Sequence, residues 1–236
     1  MLLLSGAIGG CVETTEQKNE RAAVQDDRLL ASRSAVVVTR SDPNVTVLGV
    51  SMLRGAAGAA VAVSVRNDSR NPVSDLPINV GVKTAAGKVV YLNREAELPY
   101  FQTHIGGLGA ESQATWVFST AHRAPGGRAF ARVGAGTVPL AAGVRGVPAI
   151  ASSVTSKRRR GDGATLLDLQ LVNRSSVGQT GLELYAYALS GDRLTAAGAA
   201  SVGSLGSQAK RPAQVLLLGE PGASAVRLDI PPTNLQ

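Results

Sequence analysis

Two histidines, His104 and His122, and one cysteine, Cys11, are all that this 236-residue chain has of the side chains that most often act as base, metal ligand or thiol nucleophile. A zinc centre needs three or four convergent ligands, and two His with neither an HExxH pair nor a second Cys do not supply them. Nucleophilic catalysis needs a nucleophile, a base within hydrogen-bond reach and an orienting group, and no serine stands in a G-x-S-x-G elbow. Glu95 and Glu97 are the nearest paired carboxylates for acid and base work on a glycosidic bond. Their spacing of two places both on one face of an extended strand, the solvent face, with only Tyr91, Tyr100 and Phe101 close by as a sugar platform. The glycine-rich pieces at Gly55, Gly106 and Gly134 lack the GK[ST] of a phosphate-cradling loop and read as turns. Lys157-Arg158-Arg159-Arg160 is the sharpest local charge, a solvated hairpin loop able to contact anions. The expectation is a non-enzymatic protein with no catalytic residues, no metal site and no cofactor.

Composition narrows the partners. The chain is 44% hydrophobic but only 3% aromatic, so its core is built from Val, Leu, Ile and Ala, and many strands must compensate for the small area each buries. The net charge of +7 is spread rather than focused: ten basic against six acidic side chains in 41–145, and nine against six in 146–236. With stacking aromatics also scarce, a nucleic-acid groove is not expected, and weak attraction to an anionic envelope polymer or lipid surface is.

The elements that must position these residues come twice. Val61, Val63 and Val65 alternate with Ala62, Ser64 and Arg66, and Leu167, Leu169 and Leu171 repeat the pattern, so each set lies on one face of a strand. Each strand runs into an N-x-S turn, Asn67-Asp68-Ser69 and Asn173-Arg174-Ser175. A second strand follows, with Leu76, Ile78, Val80 and Val82 inward in one copy and Leu182, Leu184, Ala186 and Ala188 in the other. The Asn-to-Asn offset, 173 − 67 = 106, is one domain length. Trp116 sits within an apolar strand pattern and is assigned to the core. The expected fold is all-β: two tandem immunoglobulin-like β-sandwich domains of about seven strands each, after a disordered N-terminal tether.

Two resemblances add to this. Ile8-Gly9-Gly10-Cys11, after the apolar run from Leu2, resembles the lipobox of bacterial lipoproteins. It implies cleavage before Cys11, a lipid on its sulfur, usually a further acyl chain such as palmitate on the new amino group, and extracytoplasmic attachment to the cell envelope. The paired Asn67 and Asn173, with Leu184-Tyr185 after the second, resemble envelope domains of the immunoglobulin-like FxLYD type, which implies a non-enzymatic module. The expected organisation is a signal at 1–11, a tether at 12–35, a first sandwich at 36–139, a linker at 140–146 and a second sandwich at 147–236. The expected function is a lipid-anchored cell-envelope binding or assembly module, with an envelope protein or anionic polymer as partner. The alternative is an enzyme or enzyme accessory acting on envelope glycan through Glu95 and Glu97 or a histidine.

Overall fold

The computed structural model describes residues 35–136, 149–231 and 234–235. The signal at 1–11, the tether up to residue 34 and the linker at 140–146 lie outside the described residues. The chain is all-β, and its sheets form two sandwich units.

In the first unit the strands are β1 (Val45–Gly55), β2 (Gly58–Asn67), β3 (Val73–Lys83), β4 (Val89–Tyr91), β5 (His104–Leu108), β6 (Gln113–Thr120) and β7 (Arg128–Val133). One layer runs β1-β2-β6; in the other, β3 is central and pairs with β4, β5 and β7. Alternation places the inward residues as expected: Val61, Val63 and Val65 of β2 meet Leu76, Ile78 and Val80 of β3, all fully buried. The β1–β2 hairpin is tight because Gly58, at φ +134, lets the chain pass where a Cβ would lie 2.0 Å from the Thr120 carbonyl oxygen. Between β4 and β5 the β3 ladder would be left open, and Asn93 closes it. Its Oδ1 accepts from Val80 N–H at 2.9 Å, and its Nδ2 donates to the Ile78 and Gln102 carbonyls at 2.8 and 3.0 Å, so the side-chain amide stands in for a peptide unit.

The second unit contains β8 (Ile150–Arg159), β9 (Ala164–Asn173), β10 (Gln179–Ser190), β11 (Arg193–Leu205), β12 (Lys210–Gly219), β13 (Arg227–Asp229) and β14 (Asn234–Leu235). Its strand order is β13-β10-β11-β12-β9-β8, with β14 also on β10. β12 follows β9 along its length but meets β11 only where Ala196 and Ala197 pair with Gly219 and Leu218. The sheet therefore turns a corner there and closes on a core of Leu167, Leu169, Leu171, Leu182, Leu184 and Leu217. Gly198 permits the corner, since a Cβ on it would lie 2.1 Å from the Leu216 carbonyl oxygen.

The units are stacked face to face. On β10 the residues between the inward set, Tyr185, Tyr187 and Leu189, join the apolar cluster of the first unit together with Leu194, Ala197 and Leu218. The matching face of the first unit offers Ala60, Ala62 and Val117, small enough for the sheets to approach. Both faces of β2, β6, β10 and β11 are consequently covered.

The repeat is not uniform. From Asn67 to Gly109 is 42 positions and from Asn173 to Gly206 is 33, so the first unit holds 42 − 33 = 9 extra residues. They fall in the loop after β4, which ends in a short 3-10 turn at Tyr100–Gln102. The second unit runs straight through this region as β11.

Candidate functional site

The paired asparagines are structural to the last atom. Asn67 and Asn173 are both 0% exposed. Asn67 Nδ2 donates to the Asn71 and Gly109 carbonyls at 2.8 and 2.9 Å, and its Oδ1 accepts from Ser69 N–H and Oγ at 3.0 and 2.8 Å. Asn173 does the same with the Val177 and Gly206 carbonyls at 2.8 and 3.0 Å and with Ser175 N–H and Oγ at 3.0 and 2.7 Å. Each amide thus fastens its own turn to a loop of its unit, the one before β6 in the first and the one before β12 in the second. With both ends bonded in the interior, neither triplet can present its Asn nitrogen to a glycosylating enzyme.

Glu95 and Glu97 lie in the exposed loop after β4 rather than on a strand, with Glu97 at φ +65. Alternation therefore does not place them on a common face. His122 is exposed in the loop between β6 and β7. Of Glu95, Glu97, His104 and His122, only His104 meets another titratable side chain among the described residues. Lys157, Arg158 and Arg159 stand on strand β8, and only Arg160 is in the turn: the ladder continues through Lys157–Leu167 and Arg159–Thr165, past the point where the sequence reading opened a loop. Arg158 pairs with Asp168 at 3.1 Å, Arg159 with Glu220, and Arg160 with Asp162 at 3.2 Å. Ser156, Gln214 and Arg158 together hold the Asp168 carboxyl below the usual carboxylate range. Three of the four cations are therefore already matched locally. Cys11 lies outside the described residues.

The titratable groups that do converge sit at the junction of the units, where the inserted loop places Tyr100 beside groups of β3 and β5 and near those of β10. Tyr100 donates to Asp75 Oδ1 at 2.6 Å and stacks flat on His104, ring centroids 4.5 Å apart. His104 Nδ1 is 2.9 Å from Thr103 Oγ1, and its Nε2 is 3.9 Å from Asp75. Across the junction Tyr185 donates to Glu183 Oε2 at 2.7 Å and reaches the Phe101 carbonyl at 3.3 Å, while Trp116 Nε1 donates to the Phe101 and His104 carbonyls, each at 3.0 Å. Nearby, Asp229 accepts from Thr115 N–H at 2.7 Å, and Thr115 Oγ1 bonds Tyr187. Burial raises the Tyr100 hydroxyl above its ordinary value, with the bond to Asp75 adding to it. Burial and the Glu183 charge raise Tyr185. His104 is lowered by burial, against the pull of Asp75. Asp229 is raised by burial, against the Thr115 N–H. Asp75 holds φ +53, uncommon for a residue with a side chain.

In this seam hydroxyls, imidazole and carboxylates bond one another and backbone carbonyls. The bonds of Tyr185 to the Phe101 carbonyl and of Thr115 to Asp229 and Tyr187 join the two units. Among the described residues no three His, Cys, Asp or Glu side chains gather as a metal site. Nothing in the sequence announces the seam except Tyr100 and His104, whose spacing of four carries no motif.

A second feature is open. Between β1 and β7 lies a groove of about 750 Å³, lined by Val47 to Val50 on one side and Arg128 to Arg132 on the other, with Lys83 and Val89 at its rim.

No family model matches this chain, and no curated protein matches it. Among solved structures it is similar to red sea bream transglutaminase, at 15% identity and a TM-score of 0.25, over 78% of this chain and 29% of that one. The chain thus spans less than a third of that protein's length. At that TM-score the likeness carries no argument about fold or activity. Among the described residues no helix is long and apolar enough to cross a membrane.

Proposed function

We propose that this chain is a non-enzymatic, lipid-anchored protein of the bacterial cell envelope whose two immunoglobulin-like sandwiches act together as one binding or assembly module. The observation that carries the reading is the disposition of its polar groups: Tyr100 and His104 turn to Asp75, Tyr185 turns to Glu183, and Tyr185 and Asp229 reach across to the Phe101 carbonyl and Thr115 N–H, while open strand edges face outward. The bonds that cross between the units, from Tyr185 to the Phe101 carbonyl and from Thr115 to Asp229 and Tyr187, hold the stack, and a rigid body with open edges suits recognition. The lipobox-like Ile8-Gly9-Gly10-Cys11 supports attachment, since a thioether-linked diacylglycerol with a further acyl chain such as palmitate anchors stably. The partner is an envelope protein or an anionic envelope polymer, and Lys157 of the β8 edge is the basic residue there that has no ion pair among the described residues.

Intact-mass and N-terminal peptide mass spectrometry on protein from the envelope fraction of its host tests the anchor. Cleavage before Cys11 with added acyl mass is the expected result; a recovered chain that keeps Met1 and an unmodified Cys11 overturns it.

A further inference from the structure

We infer that the β1–β7 groove is a strand-addition site for an extended, acidic peptide segment of a partner protein. β1 pairs only with β2 and β7 only with β3, so each leaves an outer edge whose alternate N–H and C=O groups have no strand partner among the described residues. The two edges are tied together at both ends and gape between. At one end Ser41 bridges Gly134 and Asp42 N–H donates to Val133 O at 3.0 Å. At the other, Arg54 donates to the Pro125 and Gly127 carbonyls at 3.0 and 2.9 Å. In between, where β1 carries a bulge at Leu48 in its ladder with β2, the groove lies between Val47 to Val50 and Arg128 to Arg132. The open stretch opposite Arg128 to Arg132 is five residues, or roughly 17 Å at about 3.4 Å per residue, the length of one short strand.

The occupant's chemistry follows from the walls. Leu48 and Val89 are 42% and 46% exposed, apolar contacts for every second side chain of an added strand. Lys83, Arg128 and Arg132 line the same groove, none in an ion pair among the described residues, and no carboxylate lines it. The corresponding edge strand of the second unit, β8, is guarded by Lys157, Arg158 and Arg159, the usual defence against pairing; β1 has no charge from Val45 to Leu53. One edge is blocked and the other is left open beside unpaired cations. Alternating apolar and acidic residues satisfy both.

This names the surface and partner chemistry of the binding role proposed above and rests on that reading. The test uses the full chain and a labelled nine-residue peptide of alternating Val and Glu, acetylated and amidated, with a Val/Lys peptide as control. Expected are saturable binding of the acidic peptide alone, new hydrogen-exchange protection at Val47 to Val50 and Arg128 to Arg132, and at least tenfold weaker binding by Arg128→Glu/Arg132→Glu. Leu48→Lys, a second exposed substitution, weakens it at unchanged far-ultraviolet circular dichroism. Equal binding of the lysine peptide, protection along β8 instead, or indifference to both variants overturns the proposal. Protection present before peptide is added also overturns it, in favour of a second copy if it grows with protein concentration and of this chain's own residues 12–34 if it does not. A lipidated Cys11 with no peptide binding removes the groove and leaves the anchor standing.

Discussion

Asn67 and Asn173 show how one side chain can specify a fold twice. Each bonds two carbonyls and the N–H and Oγ of one serine in the interior, at positions that are fully buried. Asn67→Ala takes one of two donors from each of the Asn71 and Gly109 carbonyls, which keep Ser69 Oγ and Ser112 Oγ, and is expected to cost about 1–3 kcal/mol. Asn173→Ala should cost the same within about 1 kcal/mol, because it repeats all four bonds and adds only a long one to the Leu205 carbonyl at 3.4 Å; chemical denaturation measures both. His104 and Asp229 set opposite pH dependences. With His104 lowered in the folded state, the unfolded chain takes up the proton first. Its contribution is whole above about pH 6.5 and is lost as pH falls through the folded value. His104→Gln should flatten that limb of the stability profile. Asp229 is raised, so its contribution is present below about pH 3.9 and is lost as pH rises through the folded value. Asp229→Asn keeps an oxygen for Thr115 N–H and is expected to match or exceed the parent stability at pH 7, read by thermal melts at acid and neutral pH.

Among the elements, the difference between the two copies matters more than the likeness. The nine added residues after β4 carry Tyr100, Phe101 and Thr103 to the junction, where Phe101 offers its carbonyl to both Trp116 and Tyr185. The second copy has no such loop, and its β11 instead supplies the flat partner face. At the sheet corner the limit is steric. Gly198→Ala places a methyl 2.1 Å from the Leu216 oxygen, so β11 and β12 must part, at an expected cost of about 1–3 kcal/mol with the loss centred on the second unit's amides in hydrogen exchange.

For the whole molecule, one apolar cluster spans both units, and the polar seam is bonded across it. Unfolding should therefore be a single cooperative transition in calorimetry. Ala197→Arg puts a charge into a fully buried position of that cluster and is expected to cost about 3–5 kcal/mol and split the melt into two. Much of this architecture was legible in the chain. Period-two alternation identified the inward faces of β2, β3, β9 and β10, and the repeated N-x-S turns marked two similar units, because strand sidedness and Asx turns are local properties of a few neighbouring residues. The opposite faces were not legible. Ala60, Ala62 and Val117 on one side and Tyr185, Tyr187 and Ala197 on the other look like ordinary strand residues until the sheets are stacked, and Glu95 and Glu97 left the strand only because the inserted loop begins there. The seam, the groove and the pairing of the arginines after Lys157 were decided by tertiary structure alone, since each depends on which distant backbone edges and charges the stacking brings within a few ångströms, a quantity no local pattern encodes.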